Sequence, residues 1–150
     1  MKIFLGSDHK GFGLKGDLIS YLQINNFEVV DLGATSYDEN DDYSDFGIKV
    51  AEEVSNDSSS LGIVICGTGI GVCIAANKVK GIRCGLCGSV DVARLARKDD
   101  NINVLALSSE LHNDLDIAVE IVNAFVETKF DNSEKRVRRV EKIATYENSH

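Results

Sequence analysis

The chain has 150 residues, of which 43% are apolar and 27% are charged, as in ordinary folded globular proteins. Its net charge of −8 disfavours nucleic acids and anionic membranes as partners, because long-range repulsion would oppose both. No apolar stretch reaches the roughly 18 residues of a transmembrane helix, and the first residues lack the layout of a signal peptide. We therefore expect a cytoplasmic protein whose residues 1–150 form one domain.

Short apolar runs alternate with segments of helical periodicity along the whole chain. The runs predict strands at 2–5, 27–31, 61–65, 82–86 and 103–107. The periodic segments predict helices near 14–22, 44–54, 70–78, 91–98, 115–126 and, as an extra C-terminal helix, 137–144. Such alternation implies a parallel sheet with helices on both faces. The predicted fold class is α/β, a Rossmann-like three-layer sandwich with a five-stranded parallel sheet.

Ligands of such sheets bind outside the carboxyl ends of the strands. The unusual residues of this chain fall in three loops, 6–11, 66–71 and 98–101, which we expect to meet at that edge. The first and third strands are expected to be neighbours, which would bring the first two loops together.

The loop after the third strand reads Cys66-Gly67-Thr68-Gly69-Ile70-Gly71. Alternating glycines let the backbone turn several N–H groups toward one point, which favours a site for a carboxylate, a phosphate or a developing oxyanion. Dinucleotide-binding proteins instead carry G-x-G-x-x-G after the first strand. The spacing and the position here therefore disfavour a nicotinamide cofactor.

Three side chains near this loop are candidates for acid–base chemistry. Cys66 directly precedes the N–H groups, and a thiolate there can act as a nucleophile or as a carbon base, although a cysteine that merely ends a buried strand fits equally well. Thr68 places a hydroxyl where it can relay a proton or cap the following helix. His9 follows Asp8 after the first strand, where a histidine is more often structural or solvated than catalytic.

Two further groups of residues have competing interpretations. Lys135 and Arg139 lie four residues apart on the last predicted helix and can clamp a phosphate, but a solvated basic face explains them as well. Cys84 and Cys87 have the C-x-x-C spacing of metal and redox sites. On a strand, however, residues three apart point to opposite faces, so we favour ordinary packing over metal binding or redox chemistry.

Several segments together resemble the ribose-5-phosphate isomerase B family, which also contains the subunits of galactose-6-phosphate isomerase. They read GSDHKG at 6–11, DY at 42–43, LGIVICGTGIG at 61–71 and AANK at 75–78. The resemblance extends through 81–83 and 103–106 and so covers almost the full chain. It implies an aldose–ketose isomerase that needs no cofactor and no metal and acts on a small phosphorylated sugar through a cis-enediolate.

The resemblance also implies a role for each matching residue. Cys66 would remove the proton at sugar C2, and Thr68 would exchange protons between O1 and O2. Backbone N–H groups would stabilise the oxyanion, and polar side chains would contact the sugar. The glycines concerned are Gly67, Gly69 and Gly71, and the sugar contacts are Asp8, His9 and Tyr43. Members of the family are homodimers or homotetramers with active sites shared between subunits.

This chain departs from the family pattern at three places. The family usually has His-Asn before the fifth strand, where the histidine opens the sugar ring, and this chain has Asp99-Asp100. An arginine that helps to hold phosphate aligns with Glu110. The two C-terminal phosphate-binding positions align with Lys135 and Arg139, so one arginine has become a lysine.

The overall expectation is an isomerase that interconverts ribose 5-phosphate and ribulose 5-phosphate. His9 and Asp99 are both candidates to open the ring, although an aspartate is mostly ionised at neutral pH and then donates protons poorly. Two alternatives stay open. One is an isomerase of another phosphosugar, such as galactose 6-phosphate or allose 6-phosphate. The other is a member that binds sugar phosphates without turnover, which the changes at Asp99 and Glu110 make credible.

Overall fold

Five parallel strands form one sheet, as the alternating pattern predicts. The computed structural model describes residues 1–150. The strands are β1 (Lys2–Ser7), β2 (Glu28–Asp31), β3 (Leu61–Cys66), β4 (Cys84–Leu86) and β5 (Val104–Ser108). They lie side by side in the order β2-β1-β3-β5-β4. Because the order reverses direction between β1 and β3, a crevice forms at the carboxyl ends of these two strands.

The chain has six α-helices, of which the first five cover the sheet and the sixth packs on the end of the fourth. They are α1 (Phe12–Ile24), α2 (Tyr43–Asn56), α3 (Ile70–Ala76), α4 (Val90–Asp100), α5 (Leu115–Glu127) and α6 (Glu134–Ser149). The apolar residues of α1, α4 and α5 pack in one core cluster, and those of α2 and α3 pack in another. The three-layer α/β sandwich is thereby confirmed. None of the six helices combines the length and apolar character that crossing a membrane requires.

The central strand β3 separates the two core clusters. All six of its residues are buried; Ile63 and Ile65 belong to one cluster, Val64 and Cys66 to the other. This alternation is the reason that β3 reads as an uninterrupted apolar run, since both of its faces lie against helices. Ser7 at the end of β1 pairs with Ile65 at the end of β3. The expected proximity of the loops that follow these strands is confirmed.

The expectation that segment 98–101 shares this edge is wrong. Helix α4 runs back across the sheet after β4 and ends at Asp100, and β5 begins at Val104. A segment that leads into a parallel strand lies at the amino edge of the sheet, opposite the carboxyl edge. Asp99 and Asp100 therefore lie at the amino edge, together with the start of α6.

Candidate active site

A pocket of about 470 Å³ opens at the carboxyl ends of β1 and β3. Residues that the sequence singled out make up most of its wall: Asp8, His9, Tyr43, Cys66, Gly67, Thr68 and Gly71. Lys10, Asp41, Ile70 and Ile74 complete it. The structure thus brings seven of the predicted site residues together around one cavity.

Cys66 lies at the bottom of this pocket with only 3% of its surface exposed. The backbone N–H of Gly69 donates a hydrogen bond to its Sγ atom over 3.2 Å. Gly69 has φ +75°, and a Cβ atom there would lie 2.9 Å from the carbonyl carbon of Leu107. Only glycine adopts this conformation at so close an approach. Gly69 therefore keeps its N–H in the position from which it donates to the Cys66 thiol.

Thr68 and Gly71 shape the exposed side of the same loop. The Thr68 hydroxyl accepts a hydrogen bond of 3.3 Å from the N–H of Ile70, so it caps α3 as well as facing the pocket. A Cβ atom at Gly71 would lie 2.6 Å from the ring of Tyr43. The glycine is therefore what lets Tyr43, at the start of α2, close the pocket wall.

His9 is oriented by Asp41, a residue that the sequence did not suggest. Its Nδ1 lies 2.7 Å from Oδ1 of Asp41, and the same oxygen accepts the backbone N–H of His9 over 3.0 Å. This arrangement leaves Nε2 as the ring nitrogen available to a ligand. The other Asp41 oxygen, Oδ2, is buried without a hydrogen-bond partner, so it is an acceptor ready for a hydroxyl group.

Asp8 supports the same short loop. Its Oδ1 accepts hydrogen bonds from the backbone N–H groups of Lys10 and Gly11 at 3.0 and 3.1 Å. Burial raises the pKa of the Asp8 carboxyl above its ordinary value, against the effect of these bonds. Asp8, His9 and Asp41 offer ligand atoms within 4.8 Å of one another, a spacing that can also hold a cation. The direct His9–Asp41 hydrogen bond uses Oδ1 of Asp41 and leaves Oδ2 without a partner.

Lys10 and Glu110 form an ion pair at the rim of the pocket. Their Nζ and Oε1 atoms lie 2.8 Å apart, and both side chains are about half exposed. A Cβ atom at Gly67 would touch both side chains, so the pair lies directly over the Cys66 loop. The negative charge of Glu110, which aligns with an arginine of the family pattern, is thus neutralised by Lys10. No pattern in the sequence indicated this pairing, because the two residues are 100 positions apart.

The remaining predicted site residues, Asp99, Asp100, Lys135 and Arg139, lie outside the pocket, on what we call the α4–α6 patch. Asp99 forms an ion pair of 2.7 Å with Arg136 of α6, and the N–H of Asp131 bonds to the carbonyl of Lys98 over 2.9 Å. The end of α4 and the start of α6 are therefore one connected unit. Within a single chain this unit does not reach Cys66.

The other cysteines support the packing interpretation. Cys87 belongs to one core cluster and Cys84 packs against the other, so the C-x-x-C pair points to opposite faces of the sheet as expected. Cys84 instead neighbours Cys73 on α3: hydrogen bonding from the Cys84 thiol lowers the pKa of Cys73 to about 7. All four cysteines are free thiols.

A model of the family Ribose/Galactose Isomerase matches residues 3–143. The chain belongs to this family. Within the Ribose/Galactose Isomerase family, the probable ribose-5-phosphate isomerase B of Mycoplasma genitalium is 47% identical over 146 residues, which cover 97% of this chain and 95% of that protein. Ribose-5-phosphate isomerase B of Mycolicibacterium paratuberculosis is 43% identical over 150 residues, covering 100% and 94%. The earlier resemblance to isomerases of this type is thereby confirmed.

A solved structure agrees with these sequence matches. The crystal structure of ribose-5-phosphate isomerase B from Mycoplasma genitalium with bound ribulose-5-phosphate superposes with a TM-score of 0.95 at 45% identity. The match covers 99% of this chain and 97% of that one. Family membership and fold therefore rest on agreement over nearly the whole length, whereas the roles of individual residues rest on the geometry described above.

Proposed function

We propose that this member of the Ribose/Galactose Isomerase family interconverts ribose 5-phosphate and ribulose 5-phosphate, and that residues 1–150 act as one sugar-phosphate isomerase domain. The observation that carries the proposal is the buried Cys66 thiol, held by the Gly69 N–H in the same pocket as the His9–Asp41 pair. A thiol suited to proton abstraction and an oriented imidazole are the two acid–base groups that ring opening followed by isomerisation needs.

Ring opening is assigned to His9. Its Nε2 takes the proton from the O1 hydroxyl of the furanose while the bond between C1 and O4 breaks, and the same nitrogen then gives this proton to O4. Asp41 keeps the ring in place through Nδ1, so that the orientation of Nε2 does not depend on the substrate. The unpartnered Oδ2 of Asp41 accepts a hydrogen bond from a sugar hydroxyl.

Proton transfer between the two carbons is assigned to Cys66. The thiolate removes the proton from C2, the electron pair forms the C1–C2 double bond of a cis-enediolate, and O1 receives the negative charge. The N–H of Gly71, in the first turn of α3, has no acceptor within the helix and is placed to stabilise this oxyanion. Thr68 then carries a proton between O1 and O2, and Cys66 returns its proton to C1, which yields the ketose.

A second copy of the chain supplies the phosphate-binding charges in this proposal. Lys10 is the only lysine or arginine in the pocket wall, and Glu110 already pairs with it. Ile70 and Ile74 line the pocket yet are more than half exposed, and Ile143 and Tyr146 of α6 are also exposed, as expected of surfaces that another subunit covers. The α4–α6 patch of that subunit would bring Lys135 and Arg139 to the phosphate and Asp99 and Asp100 to the sugar.

We further propose that the protein works in the cytoplasm as a homodimer or as a homotetramer built from such dimers. Four free thiols in a chain of this size fit a reducing compartment. Shared sites require at least a dimer, so light scattering of the purified protein should give a mass of two or four chains. A monomer with full activity would contradict the shared site while leaving the reaction itself intact.

The deciding experiment is a coupled assay of the purified protein with ribose 5-phosphate, run beside galactose 6-phosphate and allose 6-phosphate. Turnover of ribose 5-phosphate with the highest kcat/KM is the expected result. Preference for a hexose phosphate would reassign the substrate. Thermal stabilisation by ribulose 5-phosphate with no turnover of any sugar would contradict an enzymatic function.

The assignment of ring opening to His9 has its own test. His9→Ala should abolish turnover of ribose 5-phosphate yet retain it with substrate supplied in the open-chain form. Asp41→Asn, which keeps the shape but loses the carboxylate that orients the ring, should show the same pattern more weakly. Equal loss with cyclic and open-chain substrates would count against this role.

A further inference from the structure

A second cleft, of about 300 Å³, lies at the amino edge of the sheet, on the side opposite Cys66. Residues before β3, β4 and β5 form most of it, together with Met1, the end of α2 and Arg97 of α4. Its twelve lining residues include two arginines, four serines and two asparagines, and none is acidic. In a chain with 24 acidic residues and a net charge of −8, a cleft without a carboxylate is a distinct electrostatic environment.

The two arginines are held in fixed positions by backbone carbonyls and one asparagine. Arg83 donates from Nε to the carbonyl of Asn101 over 2.8 Å. Arg97 donates from Nη1 to Oδ1 of Asn101 over 2.6 Å and to the carbonyl of Ile102 over 2.9 Å. Asn101 thus links both guanidinium groups, so the cleft is formed before any ligand arrives.

Neither guanidinium has a carboxylate within ion-pair distance, although seven ion pairs form elsewhere in the chain. The Nε atom of Arg97 is buried and has no hydrogen-bond partner. Two carboxylates hydrogen-bond to lining residues without pairing with either arginine: Glu147 of α6 accepts the N–H of Gly81 over 3.1 Å and acts on Arg83 only through space, and Asp57 accepts the hydroxyl of Ser59 over 2.6 Å. Burial lowers the pKa of both arginines, and the charge of Arg83 lowers that of Arg97 further. A bound anion would relieve this repulsion.

We propose that this cleft binds a phosphate group, either as the free ion or as part of a small phosphate monoester, at a site separate from the Cys66 pocket. Guanidinium groups match the oxygens of phosphate in geometry and in charge. Ser58 is exposed at the mouth of the cleft, and its hydroxyl has no protein partner, so it is available as a further donor. The volume accommodates a phosphate with a short organic group.

The arginine side chains themselves report on binding. In ¹H–¹⁵N spectra of the full chain, the Nε–H signals can be assigned with single Arg→Lys variants. A titration with inorganic phosphate at constant ionic strength should shift the signals of Arg83 and Arg97 in a saturable way, while the signal of exposed Arg94 stays in place. Shifts that do not saturate, or equal shifts with chloride, would overturn the proposal.

Ser58 provides a matched pair of variants, because it makes no side-chain hydrogen bond that folding needs. Ser58→Asp places a negative charge at the mouth of the cleft and should weaken phosphate binding on the order of tenfold. Ser58→Asn has the same size as that variant, without the charge and with an N–H donor in place of the hydroxyl, so it should bind phosphate more tightly than Ser58→Asp. Equal affinity in both variants, with both folded by circular dichroism, would contradict the site.

Two further measurements complete the test. Titration with glycerol 3-phosphate shows whether the site prefers a monoester to the free ion; tighter binding of either supports the proposal, and binding of neither rejects it. Cys66→Ala should leave the titration of Arg83 and Arg97 unchanged, since the two pockets lie at opposite edges of the sheet. A failure of the isomerase assay would therefore leave this site standing, and the reverse also holds.

Discussion

At the carboxyl edge of the sheet, Lys10 and Lys15 each lie against a carboxylate, whereas at the amino edge two arginines lie against none. Lys15 is buried, with Nζ 2.6 Å from Asp31, and Lys10 pairs with Glu110. Arg83 and Arg97 bond only to uncharged oxygens. Lys10 and Lys15, at the edge that holds the Cys66 thiol, are therefore neutralised by carboxylates of the same chain, whereas the two arginines at the opposite edge are not.

This difference separates proton transfer from phosphate recognition. The pocket around Cys66 has an oriented histidine and N–H donors but no lysine or arginine free to hold a dianion. The free positive charges lie at the other edge, on the α4–α6 patch and in the arginine cleft. A single chain thus has the groups for the reaction in one place and the charges for a phosphate in another, and a symmetric dimer can join them.

The largest effect is expected at the carboxyl edge. Cys66→Ala should lower kcat by about 10³-fold, because it removes the base that takes the C2 proton. Ribulose 5-phosphate should still raise the melting temperature, since the sugar contacts remain. Cys73→Ala is the matched control, because that thiol lies on α3 outside the pocket wall, and it should retain activity. Near-normal turnover in Cys66→Ala would disprove the assignment of the base.

The next largest effect is expected on the α4–α6 patch. It tests whether this patch and the Cys66 pocket act in different subunits. Arg139→Ala should raise KM on the order of 10- to 100-fold, because one charged hydrogen bond to the phosphate is lost. When Cys66→Ala and Arg139→Ala chains are co-expressed, each mixed dimer has one site with both residues intact. Random pairing should restore about a quarter of the sites. If the mixture shows only the sum of the two separate activities, the site lies within one chain.

A variant of Lys15 tests how much the buried lysine paired with Asp31 stabilises the fold. Lys15→Met should lower the free energy of unfolding by about 2–3 kcal/mol, because it removes hydrogen bonds to Asp31 and to the carbonyl of Ala34. The expected loss of unfolding free energy is moderate, because the Asp31 side chain is 39% exposed and can bind water once the lysine is gone. Lys49→Met, at an exposed site on α2, is the control. Urea unfolding measures both variants, and equal midpoints would show that the pair is not stabilising.

The smallest effect is expected for the thiols outside the Cys66 pocket, whose modification should leave turnover unchanged. Cys73, whose pKa is about 7, becomes a thiolate as the pH rises through neutrality, while burial raises the pKa of Cys87 to about 11. Iodoacetamide at pH 7.5 should therefore modify Cys73 well before Cys87, as peptide mass spectrometry can show. In Cys84→Ala the pH of half-maximal labelling of Cys73 should move upward. No movement would exclude hydrogen bonding by Cys84 as the cause.

The sequence predicted the parts of the molecule that depend on local pattern. Runs such as 61–65 and the periodicity of 115–126 predicted the strands and helices to within a few residues, because burial on one or both faces controls both patterns. The Cys66 loop was also predictable, since glycine spacing is visible in the sequence.

Contacts between distant segments were not predictable in the same way. Asp41 lies in a run of acidic residues that resembles an ordinary solvated loop, and nothing marks it as the partner of His9, 32 positions away. The placement of 98–101 was wrong because unusual residues were taken as a sign of the binding edge. The direction of the chain gives the better rule: a segment that precedes a parallel strand lies at the amino edge.

The burial of Lys15 also makes its amine a reporter of opening motions. This chain has ten lysines, and Lys15 is the one that is buried, with 2% of its surface exposed. An acylating reagent can reach it only when α1 separates from the sheet and from the 31–34 segment. The slow phase of lysine acylation, followed by mass spectrometry of the peptide around residue 15, would therefore measure how often α1 separates from the 31–34 segment under native conditions.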